Sequence, residues 1–364
     1  MPARDAAPED VRFMRRALEL AERGWGRVAP NPLVGAVVVR DGEVVGEGWH
    51  SEYGHPHAEV QALHAAGPAA RGATIYVTLE PCSHFGQTPP CTRAVLDAGV
   101  SRLVYACGDP NPAAGGGGEL LRGEGLEVAA GVEEERARDL NAAFFHRFSP
   151  ESARPWVEVK LALTLDARVA DLGGGSLWIT GEEARAEVHR IRAGHDAVAV
   201  GIGTVLADDP ILTVRGGVKP RNTVARVVFD RQLRTPLDSR LVTSLADAPV
   251  WIVCATDAPE AARRALSAAG VKLLPIADLG AGLRALREAG LGSILVEGGA
   301  RLASALLREG LVDRLTLFYA PLLLGSAAVP AFDGVDSPAL AEVHRWRRIR
   351  TATFGNDTLI SLAP

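Results

Sequence analysis

Along almost its whole length the chain alternates short apolar runs with amphipathic stretches, and this alternation restricts it to layered α/β architecture. Pro8, Glu9 and Asp10 suit a first helical turn, apolar residues follow at Val11, Met14, Leu18 and Ala21, and Gly24 closes the pattern. Residues 36–39 and 44–46 flank Asp41-Gly42, a two-residue turn signal that predicts a hairpin. A helix over about 57–66, a strand at 74–79, a helix over 91–98 stopped by Gly99, and a strand at 102–106 follow. After a helical stretch ending near Phe148, the segment Ser149-Pro150-Glu151-Ser152-Ala153-Arg154-Pro155 has linker chemistry.

A chain of 364 residues suits about two domains, and the linker divides it into 1–150 and 151–364. The second half repeats the pattern, with buried-strand candidates at 157–163, 198–201, 227–229, 251–254 and 294–296 and helix candidates at 183–192, 260–269 and 301–309. It therefore reads as a second α/β domain.

A net charge of −5 without a long basic tract denies the chain the field that nucleic acids require, so no nucleic-acid partner is expected. In the stretch 345–350 arginines alternate with Trp346 and Ile349, as on the wet face of a strand. The N-terminus lacks the apolar core of a secretory signal, and no apolar run is long enough to span a bilayer. A cytoplasmic protein with no membrane partner is the expectation. Four cysteines do not make a disulfide framework in a chain of this size, which directs attention to metal binding.

His57-Ala58-Glu59 precedes Pro81-Cys82, and Cys91 lies nine positions beyond Cys82. One imidazole and two thiolates suit catalytic zinc, which keeps three protein ligands and leaves a fourth position for water. Glu59, two residues from His57, is placed to carry a proton to a leaving amine. His50, His55, His64 and His84 remain candidates for the fourth ligand of a closed, structural site. Cys107 and Cys254 stand in apolar strand contexts and read as buried. The run 115–118 is first a mobile glycine turn and secondarily a phosphate cradle. In the second half, the strand at 294–296, Glu297-Gly298-Gly299 and a helical run from Arg301 make a physical anion site. Gly201-Ile202-Gly203 also follows a strand, but the full dinucleotide fingerprint is absent.

Asn31-Pro32-Leu33-Val34-Gly35, His55-Pro56-His57-Ala58-Glu59, the stretch from Pro81-Cys82-Ser83-His84 to Pro90-Cys91, and Asp109-Pro110-Asn111-Pro112 resemble the deaminase half of bifunctional riboflavin-biosynthesis proteins of the RibD type. Lys160-Leu161-Ala162, Leu165-Asp166, Ser176-Leu177-Trp178-Ile179-Thr180, the stretch from Val200-Gly201 to Asp209-Pro210, and Leu212-Thr213-Val214-Arg215 are similar to the reductase half. The resemblance implies a cytidine-deaminase-like N-terminal domain and a dihydrofolate-reductase-like C-terminal one. It implies zinc on His57, Cys82 and Cys91, with Glu59 catalytic and Asn31 and His50 facing the substrate. It further implies NADPH held by Ala162, Trp178, Thr204, Asp208 and the stretch Gly299, Ala300, Arg301, Leu302, Ala303, Ser304 and Ala305. Ser176, Arg192, Leu212, Arg215 and Glu297 would hold the second substrate, and a planar guanidinium at 192 or 215 suits a two-bond grip on phosphate. The implied partner is a small phosphorylated pyrimidine, diamino-hydroxy-ribosylaminopyrimidine phosphate, which is deaminated and then reduced to amino-ribitylamino-uracil phosphate. A homo-oligomer is expected. Two departures stand out: Gln87 occupies a position that usually carries Lys or Arg, and Ala167 replaces a usual glycine, adding a Cβ where the backbone needs unusual dihedrals.

Two other readings use the same residues. A nucleic-acid-editing deaminase would need the missing basic surface. A binding protein with a structural zinc would need a fourth protein ligand and would unfold on chelation.

Overall fold

The computed structural model describes residues 7–86, 88–175, 178–335, 339, 341–343 and 345–364. The chain separates into two compact units, Met1–Ser149 and Pro150–Pro364.

In the first unit the strands are β1 (Gly35–Arg40), β2 (Glu43–Trp49), β3 (Thr74–Leu79), β4 (Arg102–Cys107) and β5 (Glu127–Ala130), in the order β2-β1-β3-β4-β5. β1 runs antiparallel to β2 and β3, while β3, β4 and β5 are parallel. The β1–β2 hairpin turns through Asp41 (φ 52°) and Gly42 (φ 78°), the two left-handed residues that a tight twisted hairpin demands. The helices are α1 (Pro8–Ala21), α2 (Ala58–Ala66), α3 (Cys91–Ala98), α4 (Gly117–Gly123), α5 (Glu134–Leu140) and α6 (Ala142–His146). The apolar face of α1, with Phe13, Met14 and Ala17 buried, joins Val37, Ile75 and Leu103 of the sheet in one core. Asp10 on the same helix is buried and accepts from Tyr76 Oη (2.8 Å) and from both terminal nitrogens of Arg102 (2.7 and 2.9 Å).

The second unit is built on β6 (Trp156–Thr164), β7 (Arg168–Ala170), β8 (Ala197–Gly201), β9 (Ala225–Phe229), β10 (Val250–Ala255), β11 (Lys272–Ile276), β12 (Ser293–Glu297), β13 (Arg314–Ala320), β14 (Val329–Pro330), β15 (Arg347–Phe354) and β16 (Asp357–Ala363). Its main sheet has the order β11-β10-β9-β8-β12-β6-β13-β16-β15, parallel from β11 to β13 and antiparallel beyond. α7 (Glu182–Ala193), α8 (Ile202–Asp208), α9 (Arg240–Thr243), α10 (Glu260–Ala268), α11 (Leu279–Glu288) and α12 (Ala300–Arg308) connect the strands.

Both edges carry the marks of edges. β11 contains Pro275, which has no amide for a ladder bond, and β15 exposes Arg347, Arg348 and Arg350 around a register shift between Arg348 and Arg350. Alternation along β6 places Val157, Val159, Leu161 and Leu163 in a core shared with Leu283, Leu302 and Leu306. Glu158 and Lys160 consequently fall on the opposite face, which α7 covers through Ala184, Val188 and Ile191 packed on Leu295 and Phe318.

Candidate active sites

In the first unit, His57 is the cap residue of α2, Cys91 is the first residue of α3, and Cys82 lies three residues past the end of β3. Their ligand atoms lie within 4.8 Å of one another. His57 Nδ1 stands 3.2 Å from Cys91 Sγ and 3.6 Å from Cys82 Sγ. Zinc–nitrogen and zinc–sulfur bonds of ordinary length at a tetrahedral angle separate such atoms by about 3.6 Å. The donor set and its spacing therefore fit zinc. Among the described residues none of His50, His55, His64 or His84 joins this group, so a fourth position is left for water. The Cys91 amide, at the start of α3, donates to Cys82 Sγ at 3.4 Å, so this helix terminus serves the Cys82 thiolate. Cys82 is accordingly the sulfur drawn below the ordinary thiol range, by the Cys91 thiol first and then His57, against the opposing effect of burial. Cys91 is pushed up by the Cys82 sulfur and by burial.

Glu59 follows on the first turn of α2 and is 3% exposed. Burial pushes its carboxyl up to about 7, with His57 opposing the shift. A carboxyl held there can both take and return a proton near neutral pH. His50 is buried too, and burial followed by the nearby His57 pushes it down to about 4, so its ring is neutral. Asn31 Nδ2 lies 3.2 Å from His50 Nε2, which brings the two expected substrate residues together. The loop that carries Asn31 is fixed by Asn141, whose side chain accepts from Leu33 N (2.7 Å) and donates to Leu33 O (2.9 Å).

The glycine run is not a free anion cradle. The amide of Gly118 donates to Glu80 Oε1 at 2.9 Å, and a Cβ at Gly117 would stand 1.8 Å from the carbonyl oxygen of Pro81, so the run packs against the loop that carries Cys82. Gln87, the position with an unusual residue, lies outside the described residues.

In the second unit, Arg192 on α7 and Glu297 at the end of β12 form a bidentate pair (Nε–Oε1 2.5 Å, Nη2–Oε2 2.8 Å), each side chain 11% exposed. The remaining arginine nitrogen, Nη1, donates to Thr213 O at 3.0 Å. The paired edge expected to grip a phosphate thus faces a carboxylate. Lys160, the register partner of Glu297, is held below its ordinary value by burial, with Glu297 opposing. Glu297 stays ionised because Arg192 and Lys160 outweigh its burial. Leu212 is buried at φ 54°, and Arg215 is exposed.

The cofactor residues fall in two groups. α8 and α12 begin at Gly201 and Gly299 with no side chain capping either start, at the ends of the neighbouring strands β8 and β12. Gly298 (φ 70°) and Gly299 (φ 81°) lie against Thr204, whose Oγ1 would be 3.5 and 3.4 Å from a Cβ at either. Uncapped helix amides at adjacent strand ends, with glycines beside them, suit the diphosphate of a dinucleotide. Asp208 ends α8, and Ala300 to Ala305 form the first turns of α12. Ala162 lies on β6 opposite Phe318. Trp178 is 66% exposed and carries the Arg185 guanidinium 4.7 Å above its ring. It lines a cleft of about 820 Å³ with Thr180, Glu183, Pro321 and Asn356. Ser176 lies outside the described residues.

Residues 7–107 match the cytidine and deoxycytidylate deaminase zinc-binding region, and residues 155–360 match the RibD C-terminal domain. The riboflavin biosynthesis protein RibD of Aquifex aeolicus is 41% identical over 352 residues, covering 96% of this chain and 97% of its own. The chain belongs to the RibD family. The RibD protein of Escherichia coli is likewise 41% identical over 360 residues, covering 94% and 96%. Among solved structures, Acinetobacter baumannii RibD superposes with a TM-score of 0.80 at 40% identity over 98% of this chain and 99% of that one. A Thermotoga maritima deaminase/reductase, diaminohydroxyphosphoribosylaminopyrimidine deaminase/5-amino-6-(5-phosphoribosylamino)uracil reductase, has the same TM-score at 36% identity and the same coverage. As a RibD-family protein the chain is a bifunctional deaminase and reductase of riboflavin biosynthesis, with a zinc-binding deaminase domain and an NADPH-dependent reductase domain.

Sequence reasoning assigned no site role to Lys160, Glu80, Asn141 or His189. Lys160 had a visible signal, a lysine two residues from Glu158 in an otherwise apolar strand. Glu80, Asn141 and His189 act on loops far away in sequence, and nothing local marks them.

Proposed function

We propose that this RibD-family chain deaminates diamino-hydroxy-ribosylaminopyrimidine phosphate in its N-terminal unit (1–150) and reduces the deaminated ribosyl chain to the ribityl product in its C-terminal unit (151–364). The observation that carries the first step is the convergence of His57, Cys82 and Cys91 beside a carboxyl buried to 3% exposure, Glu59. Zinc held there supplies an activated water. Glu59 takes a proton and returns it to the departing amine, a role suited to a carboxyl raised to about 7. Asn31 and neutral His50 orient the ring from the facing loop.

In the second step NADPH supplies the hydride, and the protein supplies orientation. Thr204, Asp208 and residues 299–305 hold its diphosphate side, with Ala162 and Trp178 contributing further contacts. Glu297, kept ionised by Arg192 and Lys160, faces the substrate together with Leu212, and exposed Arg215 takes the phosphate. The chain works in the cytoplasm as a homo-oligomer. Exposed Leu165, Leu323 and Leu324, drawn together by the bond from Leu165 N to Leu322 O (2.9 Å), supply an apolar face for a second copy. Among the described residues no helix is long and apolar enough to cross a membrane.

Glu59→Gln tests the reading. Ammonia release from the diamino substrate should fall at least 10²-fold with zinc retained, while NADPH oxidation on the deaminated substrate continues near the wild-type rate. Surviving ammonia release would remove Glu59 from the mechanism.

A further inference from the structure

The segment between α8 and β9 holds two non-glycine residues in the left-handed region, Asp209 (φ 39°) and Leu212 (φ 54°). Such conformations persist only where the surroundings over-determine the backbone. Here the over-determination comes from side chains that grip main-chain groups. Asp209 Oδ1 accepts from Arg240 N (2.8 Å), fully buried Arg226 donates from Nη1 to Ile211 O (3.3 Å), and Arg192 donates to Thr213 O (3.0 Å). The fourth grip is at the residue that matters most for recognition: the amide of Arg215 donates to Nδ1 of His189 at 3.1 Å.

A main-chain amide can only donate, so His189 Nδ1 must carry a lone pair and the ring proton must sit on Nε2. His189 and Arg192 lie three residues apart on α7 and therefore share one helix face, from which they hold the segment at 213 and 215. We infer that His189 is a positioning residue of the reductase site: by accepting the Arg215 amide it fixes the main chain that presents the Arg215 guanidinium to the substrate phosphate. The inference rests on the reading of Arg215 as the phosphate contact. Protonation would set one N–H against another and release the segment. The charged groups around the ring resist this, with Arg192 on its own helix, Arg215 on the segment and Lys160 on β6 outweighing Glu297 on β12. Burial first, and then these cations, push His189 down to about 4.

Three substitutions test this, with KM and kcat measured for NADPH oxidation on the phosphorylated deaminated substrate and on its dephosphorylated analogue. His189→Leu deletes the acceptor and should raise KM for the phosphorylated substrate roughly three- to tenfold, the range of one lost hydrogen bond, with little change for the analogue. His189→Asn places a carbonyl oxygen close to the position of Nδ1 and should restore KM to within about twofold, because the same amide is again accepted. Equal effects of His189→Leu on both substrates, or failure of His189→Asn to rescue, would overturn the inference. Arg215→Ala separates it from the reading beneath it. If Arg215→Ala raises KM only for the phosphorylated substrate while His189→Leu does nothing, the phosphate contact stands and the positioning role falls. If Arg215→Ala treats both substrates alike, the phosphate reading falls and takes the inference with it.

Discussion

Replacing Arg192 by Met removes a guanidinium while keeping most of its stem, and the structure sets the size of the consequence. The arginine makes two parallel bonds to Glu297 and a third to Thr213 O, with both side chains of the ion pair 11% exposed. Removing one partner of a buried pair typically costs about 3–5 kcal/mol, chiefly because the other charge is left without compensation. Glu297 would keep Lys160 as a cation, which places the pair at the lower end, about 3 kcal/mol, and the lost bond to Thr213 adds about 1 kcal/mol. Urea unfolding of the C-terminal unit should therefore show a loss of roughly 3–4 kcal/mol in Arg192→Met. In the reductase assay KM should rise for the phosphorylated and dephosphorylated substrates alike, since the arginine acts through Glu297 and Thr213. Unchanged stability, with KM raised only for the phosphorylated substrate, would refute the reasoning and return Arg192 to direct phosphate binding.

Ala167 occupies the left-handed region (φ 56°), where a Cβ costs about 1–2 kcal/mol. Glycine relieves this but adds unfolded-state entropy, so Ala167→Gly should raise the melting midpoint of the C-terminal unit by only about 1–2 °C, and a lower midpoint would count against the strain argument. Asp10 is held below the usual carboxylate range by Arg102 and Tyr76 against its burial. Its folded value therefore lies below the unfolded one, so the stability it contributes is present above about pH 4 and is lost as pH falls through the folded value. Asp10→Asn should destabilise the N-terminal unit by roughly 1.5–3 kcal/mol near pH 7 and flatten the acid side of its stability profile; parallel acid profiles for variant and wild type would contradict this.

Where a residue's role is decided by its near neighbours in sequence, the sequence was readable. The Asp41-Gly42 hairpin, α3 beginning at Cys91 and the glycine-demanding dihedral at Ala167 are all local, and the structure reproduces each. The metal triad was readable for a different reason: a histidine at a helix start and two cysteines bracketing a strand-to-helix loop have few other uses. Elements with a compromised pattern were missed. β11 carries a proline, and in β13 and β16 the polar Thr316 and Ser361, which meet buried Glu158, interrupt the apolar run that marks a buried strand.

The Arg192 reading shows why the remainder was out of reach. From sequence, an arginine late in an amphipathic helix is equally a phosphate contact or a solvated surface charge, and the carboxylate it meets in the fold is 105 residues away. Only the parallel register of β12 against β6 brings Glu297 beside Lys160 and under α7. Once those strands pair, the fork meets Glu297. Arg215, exposed on a strained segment pinned from behind, is the cation that the proposed function gives to the anionic substrate. On the proposed function, burial and partner geometry divide two arginines of identical chemistry, one turned to an internal carboxylate and one open to the substrate phosphate. The paired KM measurements on Arg192 and Arg215 test that division directly, because only the substrate contact should distinguish the phosphate from its absence.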